Sequence, residues 1–199
     1  MPLPFRVIHK DAGIGDHELK VVAQEFLNYM AAPRIICEAL MPSVLHQIEE
    51  YGNLMVKAAI DHFGNEEAWK NRTGCFICAA DYDSGFPNLV FRVGSPAPEK
   101  LFEYWLFSQE KGLRTAFHKH VTSFESADND RMHYGGAVRV PDLIISCSGF
   151  PAHGDEVIVL GVHVLMGSIS IADAEAIAKR SNNPYFVVLV KDIEGLMRG

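Results

Sequence analysis

Apolar side chains recur at helical spacing through the first third of the chain. Val22, Phe26 and Met30 lie four residues apart and form one apolar stripe, and a second stripe runs from Val44 to Phe63. Two prolines interrupt the pattern, and proline does not continue a helix interior. The pattern therefore predicts two or three helices before residue 64, each with an apolar face that packs on a sheet or on a partner subunit.

The middle of the chain alternates hairpin-like pairs of apolar runs with helices. In each pair, a segment rich in glycine, proline or aspartate joins two short runs. Hairpins place consecutive strands side by side and antiparallel, so this order predicts an α+β fold with an antiparallel sheet flanked by helices. The predicted strands are residues 75–82, 89–93, 137–140 and 143–148, and the helix between the hairpins covers about 99–118, with Phe102, Leu106, Leu113 and Phe117 on its apolar face.

Helix-breaking residues and short apolar stretches predict the structure of the remaining segments. Residues 122–132 are polar and predict an exposed loop, and residues 149–154 predict a second loop because they hold two glycines and a proline. The chain thus divides into an N-terminal helical extension, residues 1–72, and an α+β domain, residues 73–199. The domain is predicted to end in an apolar helix over 157–166 opened by Asp155 and Glu156, a helix over 172–180 and a strand over 186–190.

Charge and hydropathy narrow the partners. The chain holds 25 acidic and 18 basic residues, a formal net charge of −7, which opposes binding to nucleic acid or to an anionic membrane. No apolar run approaches the ~20 residues of a membrane-spanning helix. The start of the chain lacks the charged-then-apolar order of a signal peptide. We expect a cytoplasmic protein with neither nucleic acid nor membrane as a partner.

Cys75 and Cys78 have the CxxC spacing of redox and zinc sites, but they lie in a predicted strand. Side chains three residues apart in a strand point to opposite faces. The spacing therefore favours two reduced, buried thiols over a redox or zinc pair.

Four segments with a definite order cover about residues 73–166: ICAADYDSG, KGLRTAFHKHVTS, YGGAVRV and ISCSGFPAHGDE. Together they resemble the GlcG/HbpS-like family, which includes the C-terminal domain of PduO proteins. The resemblance implies a profilin-like sheet flanked by helices, binding of haem or a related tetrapyrrole, and a homo-oligomer. The apolar N-terminal helices also favour a homo-oligomer, because they carry more apolar surface than one sheet face needs.

Two pairs of residues at strand ends are candidates for backbone contact with a ligand. Gly135 and Gly136 precede a strand, where glycine either permits a tight turn or lets a ligand approach the backbone closely. Ser148 and Gly149 follow a strand, where exposed N–H groups either complete a turn or meet an anionic group. The residues leave both alternatives open.

Five of the nine histidines lie within residues 73–166, which the resemblance covers. His133 and His153 lie in predicted loops beside the segments of the resemblance, and loops carry function more often than cores do. Imidazole is a competent iron ligand, so each is a candidate to contact haem or a metal, with an exposed polar residue as the alternative. His118 and His120 would point in different directions on a helix, and His163 is predicted to be hydrogen-bonded in the core.

Four charged residues complete the candidate set. Asp155 and Glu156 either complement the positive end of a helix or form a carboxylate pair for a cation or a proton. Lys111 and Arg114 are either solvated or pair with carboxylates such as the propionates of haem. The candidate metal ligands are His133, His153, Asp155 and Glu156, and the candidate cofactor-binding residues are Lys111, Arg114, His133, Gly135, Gly136, Ser148, Gly149 and His153.

Three functions remain open on the sequence. The first is binding of haem or a similar planar molecule by a cytoplasmic homo-oligomer. The second is an enzyme of small-molecule or haem catabolism that uses the same pocket, with Asp155 or Glu156 handling protons. The third is a structural oligomer whose pocket is degenerate. The sequence contains no GxSxG, HExxH or P-loop motif that would assign a reaction.

Overall fold

The computed structural model describes residues 42–198, and within them five α-helices surround a four-stranded sheet. The predicted α+β fold with an antiparallel sheet flanked by helices is confirmed. The helices predicted before Pro42 lie outside the described residues. The helices are α1 (Pro42–Phe63), α2 (Leu101–His118), α3 (Ala152–Leu165), α4 (Ile171–Arg180) and α5 (Phe186–Arg198), and the strands are β1 (Gly74–Asp81), β2 (Pro87–Gly94), β3 (Ala137–Val140) and β4 (Leu143–Ser148).

The strands form an antiparallel sheet in the order β2-β1-β4-β3. Both predicted hairpins are present, because β1 pairs with β2 and β3 pairs with β4. The central strands β1 and β4 also pair, so that Ile77 faces Phe91 on one side and Cys147 on the other. The short strand β3 lies at one edge of the sheet, and the site described below forms where β3 begins.

The two faces of the sheet hold separate apolar clusters. Cys75 and Ile77 belong to the larger cluster, to which α1, α3, α4 and α5 contribute, whereas Cys78 belongs to a smaller cluster with Ala116 of α2. The sheet therefore lies between α2 on one face and the other helices on the second face. Cys75 and Cys78 are buried free thiols, and their divergence confirms the prediction from strand geometry.

The side of helix α2 that is buried holds several small residues, together with Trp105 and two basic side chains, Lys111 and Arg114. An ideal Cβ on Gly112 would lie 3.6 Å from the Cβ of Ala80, and the Ser146 hydroxyl donates a hydrogen bond to the Ser108 carbonyl. Small side chains let the helix lie close to the strands. The predicted apolar face of α2 is therefore wrong: Phe102 and Phe117 are exposed, and Leu106 and Leu113 are half-buried.

Residues 186–198 form helix α5, and the predicted strand over 186–190 is wrong. The β-branched run in this segment is typical of a strand. The buried side chains, however, are Phe186, Leu189 and Ile193, which follow the spacing of a helix. They pack in the larger cluster, so the domain ends in two helices and not in a helix and a strand.

Two predicted loops also contain more structure than expected. Helix α3 begins at Ala152, so His153 lies in the first turn of a helix and not in a loop. The segment 122–132 contains two short 3₁₀ turns, and its residues Thr122 and Ser123 are buried. They are buried because their hydroxyls bond inward, to the Glu156 carboxylate and to a backbone N–H of β3.

Two single substitutions, Leu189→Ala and Val187→Ala, distinguish helix α5 from the strand predicted over residues 186–190. In a strand these side chains would share a face, whereas in α5 Leu189 is 0% and Val187 is 73% exposed. We expect Leu189→Ala to lower the free energy of unfolding by about 2–5 kcal/mol and Val187→Ala to change it by less than about 0.5 kcal/mol, measured in urea. Similar losses in both variants would contradict the helix.

Candidate functional site

Lys111 and Asp155 form a buried ion pair at the end of the sheet where β3 begins. Lys111 Nζ lies 2.8 Å from Asp155 Oδ2, and the two side chains are 2% and 3% exposed. The ammonium also donates to the Cys147 carbonyl at 2.7 Å, and Asp155 Oδ1 accepts the Phe150 N–H at 2.9 Å. Since α2 and α3 cover opposite faces of the sheet, this pair connects the two layers of helices.

Gly136 leaves the space in which the ion pair forms. An ideal Cβ at this position would lie 2.5 Å from the Cβ of Asp155 and 3.0 Å from Lys111 Nζ. Its φ of +115° is also a conformation that favours glycine. An ideal Cβ on the preceding Gly135 would collide with the ring of Phe124. The two glycines therefore allow a close approach, and the groups that approach are side chains of the protein itself.

Burial raises the pKa of Asp155 above its ordinary value, and the neighbouring ammonium of Lys111 opposes that rise. The hydrogen bond from Phe150 opposes it as well. The carboxyl is thus occupied on both oxygens by groups of α2 and of the β4–α3 connection.

Arg114 holds the loop that connects α2 to β3. Its guanidinium donates to Glu110 at 2.6 Å and to the carbonyls of Ser123 and Tyr134 at 2.9 and 2.6 Å. It also donates to the hydroxyl of Ser126 at 2.7 Å. The Arg114 side chain is buried and pairs with a carboxylate of its own helix. Its hydrogen bonds to Ser123 and Tyr134 hold the two ends of this loop together.

Glu156 points into a second buried polar network. Its Oε1 accepts the Thr122 hydroxyl at 2.5 Å, and its Oε2 accepts the Ser181 hydroxyl at 2.5 Å and the Asn183 amide at 2.9 Å. Burial raises the pKa of Glu156 above its ordinary value, and these three hydrogen bonds counteract part of the rise. Glu156 therefore joins α3 to the α2–β3 loop and to the turn between α4 and α5.

His153 is half-buried and is fixed on two sides. Its ring stacks on Phe124 with centroids 4.5 Å apart and planes inclined by 11°. Its Nε2 lies 2.9 Å from the Ser181 carbonyl. Because a carbonyl oxygen only accepts hydrogen bonds, Nε2 carries a proton, and Nδ1 is the ring nitrogen that holds the lone pair whenever the imidazole is neutral. No hydrogen bond to Nδ1 is present in the part of the chain that the structure describes.

The other predicted site residues are more dispersed. His133 is half-buried in the α2–β3 loop, where its backbone pairs with Asp128. Ser148 is buried at the end of β4, and an ideal Cβ on Gly149 would lie 2.6 Å from the Cβ of Cys75. His163 is buried in α3 with Nε2 3.3 Å from the Val138 carbonyl, and burial lowers its pKa to about 4, which confirms the predicted core histidine.

The four predicted metal ligands do not form one cluster. Within residues 42–198 no group of three or more His, Cys, Asp or Glu side chains is arranged to hold a metal ion. Asp155 and Glu156 bond to different donors on different elements. Two surface cavities of about 490 and 250 Å³ are lined by residues of α1, by the end of β2 and by Thr73, and by none of the predicted site residues.

Sequence reasoning missed the partners that organise this site. These are Phe124, which stacks on His153, and Ser181 and Asn183, which bond to Glu156. In the sequence, the run Asn182-Asn183-Pro184 carries only the signal of a helix breaker. A capping-box pattern at Thr122 and Glu125 was the available signal that the polar loop is ordered.

Comparisons with protein-family models, with curated proteins and with solved structures return no match. Among residues 42–198, no helix has both the length and the apolar character needed to cross a bilayer. What the protein does must then follow from the chemistry of the site itself.

The raised pKa of Glu156 predicts a pH-dependent stability that Glu156→Gln removes. Folding raises the pKa of this carboxyl above the ordinary value of 4.5 that it has in the unfolded chain. Its contribution to the free energy of unfolding is fully present below pH 4.5 and is lost as the pH rises through the pKa of the folded protein. We expect the free energy of unfolding of Glu156→Gln to increase relative to the wild type between pH 4 and pH 8. The expected increase is about 1.4 kcal/mol for each pKa unit by which folding raises the carboxyl.

Urea unfolding of both proteins at several pH values measures this difference. Other titrating groups cancel in the comparison, because the two proteins differ only at position 156. A difference that does not change with pH would show that burial leaves the Glu156 pKa at its ordinary value.

Proposed function

We propose that the protein binds a planar small molecule, with haem as the first candidate, at the surface that carries Phe124 and His153. The observation that carries the proposal is the hydrogen bond from His153 Nε2–H to a backbone carbonyl, which leaves Nδ1 as the nitrogen that can bind a metal when the imidazole is neutral. Metal-binding histidines usually donate their second N–H in this way, to a carbonyl or a carboxylate. Such a ring is held in place before a ligand arrives.

The aromatic ring of Phe124 stacks on one face of the imidazole, so the edge of this ring is the part that can add apolar contact to a ligand held at Nδ1. The two rings are nearly parallel, and both residues are half-buried. Arg114 fixes the loop that carries Phe124 and His133, so ligand binding does not have to order it. An imidazole ligand supplies a bond to the iron of haem, and an aromatic ring supplies apolar contact to the macrocycle.

The two basic residues expected to pair with haem propionates already have partners in the protein. Lys111 bonds to Asp155 and Arg114 bonds to Glu110. The proposed binding therefore rests on His153, with His133 as a second imidazole on the same loop as Phe124, and not on propionate pairing. This arrangement favours a site open to solvent on one side of the ligand.

The alternative of a structural homo-oligomer with a degenerate pocket is favoured by a different observation. Most of the predicted ligand-binding residues are buried, and their polar groups bond to the protein itself. The enzyme alternative has less support, because Asp155 and Glu156 are 2% and 0% exposed and do not reach a bound substrate. We keep the homo-oligomer as part of the proposal for either function.

Titration with haemin, followed by its Soret absorbance, tests the proposed function. We expect micromolar or tighter binding by the wild type. His153→Ala should bind at least about tenfold more weakly, because it loses the imidazole that bonds to the iron; a factor of ten corresponds to about 1.4 kcal/mol. Phe124→Leu should weaken binding less, and His133→Ala should shift the Soret maximum if this residue supplies a second ligand. His118→Ala is the matched control, because His118 is also a surface histidine but lies at the end of α2.

Two outcomes would contradict the proposal. The first is a wild-type protein that leaves the haemin spectrum unchanged, which would favour the structural oligomer. The second is equal affinity of His153→Ala, His118→Ala and the wild type, which would place any haemin elsewhere. Light scattering on the same samples gives the assembly, and a mass near 22.1 kDa would rule out the homo-oligomer.

A further inference from the structure

We infer that Glu156 is a positioning residue for His153, acting through the turn between α4 and α5. The inference rests on the proposed function, in which His153 is the ligand to haem. It assigns to Glu156 a role different from the metal ligand that the sequence suggested. The turn concerned comprises residues 181–183 and is called the 181–183 turn below.

Glu156 holds the 181–183 turn by two hydrogen bonds to one carboxylate oxygen. Oε2 accepts the Ser181 hydroxyl at 2.5 Å and the Asn183 amide at 2.9 Å. Glu156 is 0% exposed, so water does not compete for these bonds. Asn182, between the two donors, has a φ of +53°, the left-handed conformation in which a helix commonly ends at glycine or asparagine.

The same turn holds His153 at both its side chain and its backbone. The Ser181 carbonyl accepts a hydrogen bond of 2.9 Å from the His153 Nε2–H. The Asn183 amide, whose other hydrogen bonds to Glu156, donates to the His153 carbonyl at 2.8 Å. Each of the two residues of this turn that bond to Glu156 therefore also bonds to His153.

A direct ligand role for Glu156 does not fit these contacts. Both of its oxygens already accept hydrogen bonds from protein groups, and the residue has no exposed surface. Glu156 follows His153 by three residues, so the two side chains lie on the same side of α3. Its effect on a bound ligand passes through the Ser181 carbonyl and the orientation of the imidazole.

The imidazole N–H of His153 provides a readout that needs no ligand. A proton that is fixed in a hydrogen bond exchanges slowly with water, and it is then visible by ¹H–¹⁵N NMR when the ring is neutral. We expect a His153 Nε2–H signal in the wild type, assigned by its loss in His153→Ala. The buried His163 Nε2–H, which faces the Val138 carbonyl, serves as an internal reference in every variant.

Two pairs of variants separate positioning from a general effect on stability. Ser181→Ala removes a donor to Glu156, whereas Ser170→Ala removes the N-terminal cap of the same helix, α4, without touching Glu156 or His153. Glu156→Leu removes both acceptors for the 181–183 turn, whereas Glu156→Gln keeps a carbonyl oxygen for Ser181 and Asn183 and turns its amide toward the Thr122 hydroxyl. We expect the His153 signal to persist in Ser170→Ala and Glu156→Gln and to disappear by exchange in Ser181→Ala and Glu156→Leu.

Haemin titration of the same four variants links the readout to the proposed function. Variants that lose the N–H signal should bind haemin several-fold more weakly, and the other two should bind as the wild type does. Persistence of the signal in Ser181→Ala and Glu156→Leu would overturn the inference, and so would its loss in Ser170→Ala with the reference signal intact. If the NMR pattern is as expected but haemin does not bind, the proposed function fails while the positioning of His153 by Glu156 stands.

Discussion

The ion pair between Lys111 and Asp155 is the interaction on which the arrangement of the site depends. The two charges come from helices on opposite faces of the sheet, and both are buried. Removal of an ion from water costs several kcal/mol, which only close geometry and further hydrogen bonds offset. Gly136 makes that geometry possible, because a Cβ there would collide with Asp155, and the Cys147 carbonyl and Phe150 N–H satisfy the remaining groups.

Two neighbouring carboxylates extend this constraint from the layers to the candidate site. Consecutive helical residues point about 100° apart, so Asp155 reaches α2 while Glu156 reaches Thr122 and the 181–183 turn. Together they fix the first turn of α3, where His153 lies. The orientation of His153 is therefore determined by the packing of several elements and not by α3 alone, as the proposed ligand role requires.

The parts of the fold that depend on local pattern were predictable, and the site partners were not. Turn residues between short apolar runs were sufficient for both hairpins, and strand periodicity was sufficient to separate Cys75 from Cys78. Helix α5 was missed because its β-branched run resembles a strand, and the burial of Leu189 and Ile193 overrides that preference. The buried face of α2 was missed because most of its residues are small or charged, as Gly112, Thr115 and Lys111 are, and do not form an apolar stripe.

For the site as well, the sequence indicated individual residues but not the contacts between residues that are far apart in the chain. Lys111, Gly136 and Asp155 were identified as candidates, but their mutual contact joins residues 44 positions apart in the chain. No local pattern could place Lys111 in the interior, since an isolated lysine at this position is equally compatible with a solvated helix face. Ser181 and Asn183 gave only a helix-end signal, and their bonds to Glu156 follow from the packing of α3 against the 181–183 turn.

A double-mutant cycle on the ion pair tests this account most directly. The free energy of unfolding is measured in urea for the wild type, Lys111→Met, Asp155→Asn and the double variant. Each single variant leaves one buried charge without its partner and is expected to lose about 3–5 kcal/mol. The double variant should lose less than the sum of the two, with a coupling of about 0.5–3 kcal/mol. Strictly additive losses would contradict the claim that a direct Lys111–Asp155 contact holds the two layers of helices together at the site.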